Sequence, residues 1–380
     1  MGFLKRAGLV AVLVALAAAF FSGTAGATDR ADESFASANH VVFVQNDNVA
    51  GNQVVAYDRA DDGHLTPANT YSTGGSGGVL AGSVVDHLAS QGSLTFDAGH
   101  SLLYAVNAGS NTVSVFAVHG DQLRLVQVVS SGGTFPVSIT VHGPIVYVLN
   151  ALNGGSVQGY AVAFGHLLPI PGSHRALGLD PNATPQFTTT PGQVAFTPDG
   201  SRLIVTTKGN GNDIDVFRVG LFGLLSAAPV VNSEPGTVPF AISFDRSGHV
   251  VVADAGTNAL ASYALNVNGS LTPLASVGTG QAATCWVVAD GDRFYVSNAG
   301  SSTISGFRAG FNGQLTLTGQ TATSPGTVDA AVTTDGHFLY VQGGGNGTVD
   351  GFRVNLDGSL TPIGTVTVPN AVGGEGIVAF

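Results

Sequence analysis

Apolar and polar positions along this chain repeat as one pattern seven times. An apolar run ends in a small polar residue, a Gly/Asn/Ser turn follows, a second run carries one aromatic, and an Asp/Asn-Gly turn leads into Leu-Thr-Pro or a variant. The aromatics are Tyr57, Phe116, Tyr160, Phe217, Tyr263, Phe307 and Phe352, spaced by 59, 44, 57, 46, 44 and 45 residues. That spacing is the period of four-stranded blades once two insertions are allowed. Apolar runs broken by Phe96-Asp97-Ala98-Gly99, Phe196-Thr197-Pro198-Asp199-Gly200 and Phe244-Asp245-Arg246-Ser247-Gly248 read as hairpins. The pattern predicts an all-β chain, a seven-bladed β-propeller of four-stranded antiparallel sheets.

The two ends of the repeat complement each other. Gly376-Ile377-Val378-Ala379-Phe380 matches the first strand of a blade and stops, whereas Val41-Val42-Phe43-Val44 matches a second strand. The C-terminal strand is therefore expected to complete the N-terminal blade, which pairs edges that an open array would expose. Two segments exceed the period. One, 72–91, is Gly-rich and holds Asp86 and His87; the other, 170–191, holds His174, Arg175 and Asp180 between prolines. Both join the outermost strand of one blade to the innermost strand of the next, on one face of the ring, where long loops on a rigid scaffold carry binding.

Composition narrows the setting. The 54 glycines supply the positive φ that hairpin turns require. Lys5 and Arg6 precede an apolar run over 7–21 and then Ala25-Gly26-Ala27, which reads as a signal peptide 1–27 followed by a flexible leader 28–39 and a single propeller domain 40–380. The apolar run is shorter than the roughly 20 residues that span a bilayer, so release outside the cytoplasm is expected rather than anchoring. Without Lys5 and Arg6 the chain keeps 11 basic residues against 24 acidic ones, a formal net charge of −13. No basic run remains, which argues against nucleic acid and against electrostatic attraction to a membrane after cleavage. The single cysteine, Cys285, excludes an intrachain disulfide. The expected partner is a small molecule, for a monomer without cofactor or metal: no His-x-His or His-Glu-x-x-His spacing exists for zinc.

Several motifs resemble one family. Phe196-Thr197-Pro198-Asp199-Gly200, the strand ends Tyr147-Val148-Leu149-Asn150 and Tyr295-Val296-Ser297-Asn298, and the turns Asp62-Gly63-His64-Leu65-Thr66-Pro67, Asn268-Gly269-Ser270-Leu271-Thr272-Pro273 and Asp357-Gly358-Ser359-Leu360-Thr361-Pro362 are similar to those of the seven-bladed β-propeller lactonase family, over 41–380. That family includes propeller-type 6-phosphogluconolactonases and carboxymuconate cyclases. Ala283-Thr284-Cys285-Trp286-Val287-Val288 resembles its exported, actinobacterial-type branch. The resemblance implies metal-independent hydrolysis of a sugar- or aromatic-derived lactone, or a lactonising isomerisation, using His, Arg and Glu around the channel. Here the matching strand entries, Phe135-Pro136, Thr190-Pro191 and Val238-Pro239, keep the proline without the His or Arg, and Lys208 stands where Asn-Glu is common. A non-catalytic secreted binding or scaffold propeller therefore remains the alternative.

Candidate chemistry follows from the rungs of the innermost strands. Lactone hydrolysis needs a base for water and a donor for the carbonyl oxyanion. Asp329 or Glu375 is the candidate base and Lys208 the candidate clamp, with Gln193, Trp286, His87 and Arg175 as candidate ligand-binding residues. Lys208 either faces the ligand or pairs with Asp213 or Asp215 in the following loop. Cys285 reads as a buried small hydrophobe rather than a nucleophile.

Overall fold

The computed structural model describes residues 40–380; the expected signal peptide and leader lie outside the described residues. Seven sheets form the ring. Blade 1 combines Ile377–Ala379, innermost, with Val41–Gln45, Gln53–Arg59 and Leu65–Ser72. Blades 2 to 7 follow over 94–130, 136–176, 194–233, 239–278, 284–322 and 327–367, each four strands in sequence order from the channel outward. The closure expected from the termini is present: Val42, Phe43 and Val44 pair with Ala379, Val378 and Ile377. Arg59 Nε then donates to the Phe380 carbonyl oxygen at 3.0 Å, fixing the chain end against the third strand.

Burial explains the repeat. All seven recurring aromatics are buried, because the second and third strands of each blade are covered on both faces by neighbouring blades. Outermost strands are mostly exposed instead; Leu360–Thr367 leaves only every third residue partly buried. In five blades a bulge stands opposite the aromatic, as at Tyr57 against Pro67 and Phe352 against Pro362. Leu-Thr-Pro is thus an outer-edge signature, since a proline there forfeits no ladder hydrogen bond. The preceding Asp-Gly turn is equally constrained. Gly63 has φ +93°, and a Cβ there would stand 2.4 Å from the Phe338 ring of the neighbouring blade.

The second insertion differs in extent from the sequence reading. Arg175–Ala176 rejoins blade 3 opposite Ser156 and Val157, so the outermost strand is interrupted at 170–174 and the true excursion is 177–191. It carries a short helix, Gln186–Thr189, packed on another, Lys208–Gly211, after the second strand of blade 4. The first insertion crosses the channel mouth. Its backbone or side chains bond to Gly373, Val137, Gly192 and Val287, which belong to different sectors of the ring. Among the described residues, no helix is long and apolar enough to cross a membrane.

Candidate functional site

The crossing segment creates the site. Gln91 forms a two-way amide bond with Val287 of blade 6: Nε2 donates to its carbonyl at 2.8 Å and Oε1 accepts from its N–H at 2.9 Å. Ser138 Oγ of blade 3 donates to the Gln91 carbonyl at 2.7 Å. Trp286 Nε1 donates to the Ser90 carbonyl at 2.6 Å. The channel is therefore bridged beneath this face, and a cavity of about 260 Å³ remains to one side, over blades 4 to 6.

Apolar groups line most of it: Val84, Val85, Ala89, Phe187, Val238, Phe240, Ala255, Ala283, Cys285, Trp286 and Ala299, with Ser83 and Thr188 at its edge. Phe240 and Trp286 meet edge to face with centroids 5.0 Å apart. Among the described residues, only two charged side chains reach the cavity, Lys208 and Asp86. Four wall residues, Ala89, Lys208, Val238 and Ala283, have positive φ without being glycine. For the β-branched Val238 this is strained backbone, sustained by the surrounding packing.

Lys208 is fully buried. Its Nζ donates to the Ala89 carbonyl of the first insertion at 2.6 Å and the Phe187 carbonyl of the second at 2.8 Å, and lies 5.2 Å from the Phe240 ring centroid. These partners replace Asp213 and Asp215, the expected ion-pair alternatives. Burial pulls the ammonium down to about 7, against the upward pull of Asp86 and Cys285. Asp86 is likewise buried, with its carboxylate accepting N–H bonds from Leu88 at 2.8 Å and Ser90 at 2.9 Å. Burial raises it to about 6 despite those donors and the charge of Lys208. Burial also pushes the Cys285 thiol up to about 12, as expected of a packing residue rather than a nucleophile.

Asp329 and Glu375 lie elsewhere, buried below the crossing segment. Glu375 Oε1 accepts from Gly92 N–H at 2.9 Å, and its own N–H donates to Asp47 Oδ2 at 2.8 Å. Burial raises both carboxyls, Asp329 to about 7, and at Glu375 the nearby Asp329, Asp86 and Asp47 add repulsion. Neither lines the cavity.

The other candidates are placed as follows. Trp286 forms a wall of the cavity. Gln193 Oε1 accepts from Ile242 N–H, joining blades 4 and 5. His87 stacks its ring on Gly373 beside the cavity rather than within it, and burial lowers its basicity. Arg175 donates to the carbonyls of Leu225 at 2.6 Å, Ser226 at 2.8 Å, His174 and Gly172, tying blade 3 to blade 4. The sequence reading missed Asp86 as a site group and Phe240 as Trp286's partner. The available signal was an acidic residue in a Gly-rich insertion; nothing local marked Phe240.

Residues 81–379 match the family described as lactonase, 7-bladed beta-propeller. No curated protein matches the sequence. Among solved structures, the periplasmic gluconolactonase of Pseudomonas aeruginosa superposes with a TM-score of 0.71 at 20% identity, covering 89% of this chain and 98% of its own. A Bacteroides fragilis protein proposed to be a 6-phosphogluconolactonase gives 0.71 at 20% identity, with 90% and 98% covered. A Lactobacillus plantarum protein gives 0.70 at 21% identity, with 89% and 98% covered. At these identities the likeness is one of fold.

Proposed function

We propose, from the premise that this chain belongs to the lactonase family of seven-bladed β-propellers, that it is an exported hydrolase of a small, largely apolar lactone. The observation that carries the reading is that Lys208 and Asp86, buried groups of opposite charge, both line one aromatic-lined cavity on the insertion face. In this reading the Lys208 ammonium donates to the lactone carbonyl oxygen. Asp86 takes a proton from water as the water oxygen attacks the carbonyl carbon. The tetrahedral intermediate then collapses, the ring C–O bond breaks, and the proton held by Asp86 passes to the departing ring oxygen. The products are a hydroxyl and a carboxylic acid, which ionises and releases one proton to solvent, and both residues return to their starting states.

The lining favours an aromatic-derived or aliphatic lactone over a phosphorylated sugar lactone. A phosphate would need several donors, whereas the cavity offers one cation with two hydrogens already engaged. Export rests on the N-terminal sequence and accords with the periplasmic setting in the name of the P. aeruginosa relative. A second reading, a secreted binding propeller, is favoured by one feature: the two carbonyl contacts of Lys208 are those of a loop staple.

A lactone panel followed by proton release separates the two. Turnover abolished by Lys208→Met and by Asp86→Asn supports the hydrolase. Absence of turnover, with saturable quenching of Trp286 fluorescence by the same lactones, supports the binding protein.

A further inference from the structure

The opposite face carries a second feature, unrelated to the cavity. The hairpins joining the third and fourth strands of blades 3 to 7 each place a large apolar side chain at the tip: Phe164, Leu221 with Phe222, Val267, Phe311 and Leu356. Their exposures run from 83% to 101%, the highest among large hydrophobic residues of the described chain. Blades 1 and 2 have Asp61 and Asp121 at the corresponding turns. Scattered apolar surface residues are ordinary, but five consecutive blades repeating one at the same turn form an arc at one height of the ring.

These tips are held rigidly outward. Tyr147 Oη donates to the Gly223 carbonyl at 2.7 Å, Arg202 Nη2 to the Val267 carbonyl at 2.6 Å, Ser262 Oγ to the Gly313 carbonyl at 2.6 Å, and Tyr295 Oη to the Gly358 carbonyl at 3.1 Å. Each donor belongs to the preceding blade. Phe164 and Phe222 also occupy positive φ, which turns their side chains away from the sheet at a backbone cost.

We propose that this arc seats the propeller on a lipid bilayer surface, with the apolar tips in the interface and the insertion face turned away. Two observations select a bilayer over a protein partner. The tips are separated by polar turn residues such as Asn266, Asn268, Asn312 and Asp357, so they form no contiguous patch of the kind a protein core contact requires; a headgroup layer admits separate side chains. Exposed Arg124, Arg218 and Arg308 stand at strand ends on this side, positioned to reach headgroup phosphates while the tips sink, whereas Arg246 faces Asp292 at 4.0 Å and Arg353 lies over the Phe338 ring. The absence of a basic run weighs against electrostatic capture only, and Asp61, Asp62, Asp121, Asp292, Asp335 and Asp357 on the same side make binding independent of anionic lipid.

The test is flotation of residues 40–380, which contain all seven blades and the closing strand, with phosphatidylcholine vesicles. The propeller is expected to float. The triple variant Phe164→Asn, Phe222→Asn, Phe311→Ser should lose about tenfold or more of that binding with its thermal midpoint retained. In the full chain, Leu356→Trp should be quenched by brominated lipid beyond any quenching of Trp286. Failure to float, flotation unchanged in the triple variant, or Leu356→Trp unquenched overturns the proposal. So does a concentration-dependent dimer abolished by the triple variant without vesicle binding.

Discussion

Trp286 Nε1 donates a 2.6 Å hydrogen bond to the carbonyl oxygen of Ser90, 196 residues earlier in sequence. One end of this indole holds the segment that crosses the channel, and its ring walls the cavity beside it. Trp286→Phe keeps most of the packing and removes the donor, leaving the buried Ser90 carbonyl one partner short. Stability is expected to fall by about 1 kcal/mol, and amide exchange of 85–91 to rise more than that of the blades.

Lys208→Met retains the side-chain stem and deletes both loop contacts. The expected result is a drop in kcat/KM of roughly 10²–10³-fold for a lactone substrate, the range for losing one oxyanion donor. Thermal unfolding and limited proteolysis at 177–191 report the structural share of the change.

The proposed chemistry has a narrow pH window. Asp86 must be ionised, so the rate rises through about pH 6; Lys208 must be protonated, so it falls through about pH 7. Asp86→Asn removes the activity along with the acidic limb. A profile flat from pH 5 to 8 in the unsubstituted protein contradicts these assignments.

Buried carboxyls make the fold favour mild acid. Burial is the main reason that Asp47 and Asp215 are raised to about 7, with Asp213 adding to the effect at Asp215. A carboxyl raised in the folded state binds its proton there while the unfolded chain has already released it. Stability is then fully present below about pH 4 for these groups and is lost as pH rises towards 7, by up to about 1.4 kcal/mol per unit for each. Asp47→Asn should flatten that slope, measured as thermal midpoint against pH between 4 and 7. An unchanged slope would show that Asp47 is not one of the titrating groups.

Ring closure is testable apart from chemistry. Removing 377–380 strips the innermost strand from blade 1 and the carbonyl that Arg59 Nε engages. The truncated chain should lose cooperative unfolding and expose its first-blade edge to aggregation. Arg59→Met alone should cost about 1–3 kcal/mol, because it removes a charged hydrogen bond and leaves a buried acceptor.

The sequence by itself determined the blades. Strand alternation, the buried aromatic, the Asp/Asn-Gly turn and the outer-edge proline are local constraints, and each reads directly as one supersecondary unit. The complementary ends, Ile377 to Phe380 and Val41 to Val44, likewise announced their shared sheet. Tertiary structure alone decided the site. Asp86 comes from an insertion, Lys208 from blade 4 and Trp286 from blade 6, and ring closure brings them around one cavity although no local pattern links them. Lys208 found main-chain carbonyls, which every residue carries and no sequence marks. Asp329 lies on an innermost strand and Glu375 just before another, both away from the cavity, and Gln91 bridges across to Val287, because a long loop chooses its course by the partners it meets rather than by its own composition.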